Sequence, residues 1–119
     1  MFKKMTQDSR GNLLAYEVIG DITKEDYRQI EPEVKILAEE HGDVRLLLDL
    51  TQFHWEKLSA WGEDWRFGRK FHDVITKMAI VGDKKWEKWL TKLAGPFYAK
   101  EARFFYPHQI GEALKWLKE

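Results

Sequence analysis

The sequence predicts an α/β fold: a mixed, mostly parallel five-stranded sheet with four main helices, in the order β-β-α-β-α-β-α-β-α. Three observations lead there. Arg45-Leu46-Leu47-Leu48-Asp49-Leu50-Thr51 is a short apolar run that reads as a fully buried strand, and Met78-Ala79-Ile80-Val81-Gly82-Asp83 is a second. Each is followed by a tryptophan-bearing segment with helical spacing. Strands that are apolar throughout need cover on both faces, and helices returning through parallel crossover units supply it.

The elements follow in order. Residues 2–7 are expected to form a short strand. The turn cluster Ser9-Arg10-Gly11-Asn12 then leads into a strand over 13–20, which makes a hairpin. Thr23, with Asp26 three residues on, resembles a capping box with a shorter acid. Tyr27, Ile30, Val34 and Leu37 follow at helical spacing until Gly42 stops the helix. Pro32 falls inside this helix, where the lost donor and the clash with the preceding turn predict a bend. After a strand at 44–50, Thr51 to Lys57 is expected as a loop at the carboxyl end of a central strand, the edge where ligands sit in open α/β sheets.

A helix from about Leu58 to Val74 places Leu58, Trp61, Trp65, Gly68, His72 and Ile75 on one side, widened by Ala60, Phe67 and Phe71. That apolar arc is wider than the roughly 100° stripe needed for one-sided packing, so part of it is free for a second partner. A strand over 77–82 leads to Asp83 as the cap of a helix with Trp86, Trp89, Leu90 and Leu93 on one face and four lysines on the other. Gly95-Pro96 ends it. A fifth strand covers 102–106, and Ile110, Ala113, Leu114 and Leu117 mark a last amphipathic helix.

At 119 residues, 44% of them hydrophobic, the chain suits one core and a single domain over 1–119. Twenty basic and twenty acidic residues balance to a formal charge of zero, so no whole-molecule field favours nucleic acid. The absence of cysteine excludes disulfides and thiol chemistry. No apolar run reaches the length of a signal peptide or a transmembrane helix, and a cytoplasmic protein is expected.

Asp26-Tyr27, Glu31-Pro32, Leu47-Leu48-Asp49-Leu50 and Ala79-Ile80-Val81-Gly82-Asp83, in this order of elements, resemble the STAS fold in its SpoIIAA-like branch of small stand-alone proteins. The resemblance covers nearly the whole chain and implies a non-catalytic binding or regulatory module. Phosphoregulated STAS domains carry a switch serine at the start of the second helix, and the resemblance places Ser59 there. The family motif has an acidic residue, serine and glycine, whereas this chain has Lys57-Leu58-Ser59-Ala60, and Ser59 also fits a plain helix cap. The architecture is similar, too, to lipid-exchange domains that shield an apolar ligand.

The candidate ligand- or partner-binding residues are Phe53, Trp55, Trp61, Trp65, Arg66, Arg69 and Phe71, on the loop after the central strand and the helix that follows. Two occupants fit: a second copy in a homodimer, or another protein, pairing through Trp61 and Trp65, and a small apolar or lipid-like molecule whose acidic head meets Arg66 or Arg69. Trp86, Trp89 and Trp116 are expected in the core. No catalytic residue, cofactor or metal site is expected. The four histidines lack paired metal spacing, and neither a nucleophile elbow nor a phosphate loop occurs. Asp49, near Glu56, Glu63 and Asp64, is the best-placed carboxylate, and it is expected to bond loop amides rather than act as an acid or base. The lysine-rich face of the 84–93 helix suits an anionic membrane surface, but its apolar face is expected to be used by the sheet.

Overall fold

The computed structural model describes residues 1–20, 23–53, 69–83 and 99–119. Within them, strands β1 (Phe2–Lys4), β2 (Leu13–Gly20), β3 (Val44–Phe53), β4 (Ile75–Val81) and β5 (Glu101–Phe105) form one sheet, in that spatial order. β1 runs antiparallel to β2, and every later neighbour is parallel. Helix α1 (Lys24–His41) connects β2 to β3, and α2 (Ile110–Lys118) follows a 3-10 turn at Pro107–Gln109. The class, the hairpin and the parallel sheet match expectation. The expected helices within 54–68 and 84–98 lie outside the described residues.

Side-chain alternation divides the sheet into two packed faces. Leu14, Tyr16 and Val18 of β2, Leu46 and Leu50 of β3, and Met78 and Ile80 of β4 pack with Tyr27, Ile30 and Val34 of α1. The opposite parity, Leu13, Ala15, Leu47, Ala79, Val81 and Phe105, packs with Ala113, Trp116 and Leu117 of α2. Period-2 geometry sends neighbouring residues to opposite faces, so a strand covered on both sides is apolar at consecutive positions.

The first helix has its expected ends, whereas boundaries elsewhere differ from expectation. α1 begins at Lys24 with a complete capping box, in which the Asp26 N–H donates to Thr23 Oγ1 at 3.3 Å and Asp26 Oδ2 accepts from the Thr23 N–H at 2.8 Å. It runs through Pro32 as one helix. Pro32 and Arg28 are both exposed, on the solvent side of the helix, where water can serve a carbonyl that loses its proline donor. Gly42, at φ 85°, ends the helix in the left-handed region that glycine adopts without penalty.

β1 stops at Lys4, because the Met5 carbonyl accepts from the N–H groups of Asp8 and Ser9 at 3.1 and 3.0 Å and turns the chain. The helical residues preceding β4 end at Phe71, three short of Val74. Ile75, which fits the helical arc by spacing, is instead the fully buried first residue of β4, opposite Val44.

Cations from the sheet hold α2 in place. Arg45 and Lys77 are register partners on β3 and β4. Arg45 Nη1 donates to the Leu117 carbonyl and, at 3.0 Å, to that of Glu119, while Lys77 Nζ donates to the Trp116 carbonyl at 3.1 Å. These carbonyls lie at the negative end of the helix, where positive charge is stabilising, and that of Trp116 also accepts from the Glu119 N–H at 3.2 Å. Lys77 Nζ and the Arg103 guanidinium also lie 5.2 and 5.5 Å from the Trp116 ring centroid, within cation–π range. Trp116 is core, as expected.

Candidate functional site

The carboxyl ends of β2 to β5 form the edge that the sequence singles out, and its centre is an irregularity in β3. Glu17 pairs with Asp49, but Ile19 pairs with Gln52, so β3 carries one extra residue there. Asp49 Oδ1 accepts from the Thr51 N–H at 3.0 Å and from Thr51 Oγ1 at 2.7 Å. A short acidic side chain bonding its own backbone two residues on supplies a partner where the ladder is interrupted.

This was the expected role of Asp49. The expected loop was not found in full: Thr51, Gln52 and Phe53 continue β3, with Gln52 and Phe53 opposite Ile19 and Gly20. Long-range pairing decides their conformation, and the polar Gln52 conceals it in the sequence. Asp49→Ala is expected to cost about 1–2 kcal/mol by leaving the Thr51 N–H and hydroxyl without their acceptor, with Thr51→Val close to 1 kcal/mol. Urea unfolding of both variants measures this.

Of the predicted binding residues, Phe53, Arg69 and Phe71 are described. Phe71 is 4% exposed within the α1-side core, and Phe53 packs, partly buried, against the same cluster. Arg69 is at the surface. Lys70 beside it pairs with Glu31 of α1 at 3.4 Å and lies 5.4 Å from the Phe71 ring centroid. The stretch 69–71 is thus tied to α1, with one aromatic inward and the cations outward. Trp55, Ser59, Trp61, Trp65 and Arg66 lie outside the described residues, as do Trp86, Trp89, and the carboxylates of Glu56, Glu63 and Asp64.

Among the described residues no group of three His, Asp or Glu side chains is placed to hold a metal ion. No described helix is long and apolar enough to cross a membrane. His72 is half-buried and pairs with Asp73 at 3.3 Å, the edge-histidine arrangement.

Two features escaped the sequence reading. One is the carboxylate of Asp43, which gathers donors from three segments at the other end of the sheet. The other is a hollow between the 5–12 connection and α1, next to Ile36, a large apolar side chain left 52% exposed. Ile36 lies off the stripe set by Tyr27, Ile30, Val34 and Leu37, and that displacement is the signal available in the sequence.

Comparison with known proteins fits this architecture. A SpoIIAA-like family model matches residues 13–118. The chain belongs to the SpoIIAA-like family. A solved SpoIIAA-like structure, an uncharacterised protein of the DUF3478 family from Shewanella loihica PV-4, is similar at 26% identity with a TM-score of 0.77. The alignment covers 98% of this chain and 92% of that one. Comparison with curated proteins returns no match. SpoIIAA-like membership accounts for the sheet order, the initial hairpin and the helix over each face, while a shared fold leaves chemistry to the individual site.

Proposed function

We propose that this SpoIIAA-like chain is a non-catalytic binding or regulatory module, one domain over 1–119, that acts through the end of β3 and the tryptophan-rich segment after it. The partner is a second copy of the chain. The observation that carries the reading is the commitment of Asp49. The best-placed carboxylate on the ligand-binding edge of the sheet spends one oxygen on Thr51, bracing the strand from which the 54–68 segment departs. A braced exit from a strand suits a surface that must present aromatic side chains in fixed positions, and buried aromatics carry most of the energy in protein interfaces.

Native mass spectra at several concentrations test the proposal, with Trp65→Ala as the variant. The expected result is a dimer of unadorned chains whose dissociation constant rises roughly 700-fold in Trp65→Ala, because a ~2 kcal/mol interface residue is removed from both copies. An unchanged mass together with a lowered melting temperature makes Trp65 a core residue and ends the dimer reading. A monomer carrying a reproducible extra mass, released on denaturation, replaces it with a carrier of a small apolar or lipid-like ligand.

A further inference from the structure

The hollow beside α1 lies at the amino end of β2, the opposite edge of the sheet from Phe53, and takes no part in the function proposed above. We propose that it is a subsite for a small amphipathic carboxylate, a short-chain fatty acid in chemical class. Its floor is apolar, formed by Leu14 and Leu37 on the α1 side of the sheet, and the exposed Ile36 extends that surface to the rim. Its charged side groups are Lys4, Arg10 and Glu33. Lys4 Nζ meets Glu33 Oε2 at 2.9 Å, so those two charges satisfy each other. Arg10 makes no side-chain hydrogen bond or ion pair among the described residues, and one unspent positive charge stands beside an apolar floor. A guanidinium presents paired donors that match a carboxylate in two-point geometry.

The wall carrying Arg10 is braced. Arg10 and Leu13 exchange both backbone hydrogen bonds, at 3.0 and 2.9 Å, across a two-residue turn. Gly11 takes φ 57° at its first central position, where a type II′ turn requires glycine. The Ser9 hydroxyl donates to the Met5 carbonyl at 2.9 Å and accepts from the Ala15 N–H at 3.0 Å, tying the connection to β2. A site that is already ordered loses little on binding. The volume, about 220 Å³, is below the roughly 300–1,000 Å³ of pockets for drug-sized ligands, which sets the occupant at a short acyl chain.

Hexanoate is the probe, titrated into the full chain and followed by amide NMR. The expected result is saturable shifts centred on Arg10, Gly11, Ile36 and Leu37, with acetate and hexanol each binding at least tenfold more weakly because each lacks one half of the ligand. Arg10→Gln, at an exposed position, is expected to keep the melting temperature and weaken hexanoate tenfold or more. Ile36→Asp is expected to do the same through the apolar half, and Arg28→Gln, elsewhere on α1, to leave binding unchanged. Shifts that do not saturate, equal affinity in Arg10→Gln, or shifts centred elsewhere overturn the proposal. Native masses of the same samples report the dimer separately, so either idea can fail alone.

Discussion

Leu117→Ala is expected to lower the free energy of unfolding by about 3 kcal/mol, seen as a fall in the urea midpoint with an unchanged slope. Leu117 is 0% exposed and packs with Leu13, Ala15, Leu47 and Ala79 on the sheet face opposite α1. Truncation removes buried methyl groups and leaves a cavity, because α2 cannot settle closer. Its carbonyl end is pinned by Arg45 and Lys77, and Trp116 is held against the sheet by two of the sheet's own cations, Lys77 and Arg103. A nine-residue helix has little stability of its own, so its order depends on this packing. Lys118→Ala, one residue on and exposed, is expected to change stability by less than about 0.5 kcal/mol. A loss below about 1 kcal/mol in Leu117→Ala would mean that α2 is not part of the cooperative core.

The contrast between Leu47 and Phe53 shows what the sequence makes legible. Leu46 and Leu47 point to opposite covered faces, so a buried strand leaves a run of apolar letters that no exposed segment imitates. The capping box of Thr23 and Asp26 and the stop at Gly42 are equally local, and both were readable. Phe53 belongs to a strand only because Gly20 lies opposite it, and Ile75 only because Val44 does. Ile75 matches helical and strand periods alike, so spacing alone assigned it to the wrong element. The cations that hold α2 come from Arg45, 72 positions before the carbonyl it meets on Leu117, and no local pattern records such a pairing. For the candidate site, Asp49 was legible because its partner is two residues away. Phe71 was expected on the apolar arc as a binding residue, and its place in the α1-side core was not foreseeable from that arc.

Asp43→Ala tests the most connected polar group at the amino edge of the sheet, and its effect is expected to depend on pH. Asp43 Oδ2 accepts from Thr76 Oγ1 at 2.7 Å and lies 3.6 Å from Arg45 Nε, and Oδ1 accepts from Asn12 Nδ2 at 2.9 Å. The carboxylate thereby joins the approach to β2, the start of β3 and the second residue of β4. Removing it strands the Thr76 and Asn12 donors and leaves Arg45 without its counter-charge, at an expected cost of about 2–3 kcal/mol near neutral pH. The Thr76 hydrogen bond, then those of Asn12 and the Arg45 charge, outweigh burial and hold the Asp43 carboxyl below its ordinary pKa of 3.8.

A pKa lower in the folded than in the unfolded chain means that the unfolded state takes up its proton first as acid is added. The stabilisation is therefore complete above 3.8 and is lost as pH falls through the folded value. The stability gap between the natural chain and Asp43→Ala should stay constant from about pH 8 to pH 5 and narrow below about pH 4. Thr76→Val, which removes the largest contributor, should raise the Asp43 titration toward its ordinary position, measured on the carboxyl carbon by NMR. A gap that persists undiminished at about pH 2 would show that Asp43 acts through packing rather than through its charge.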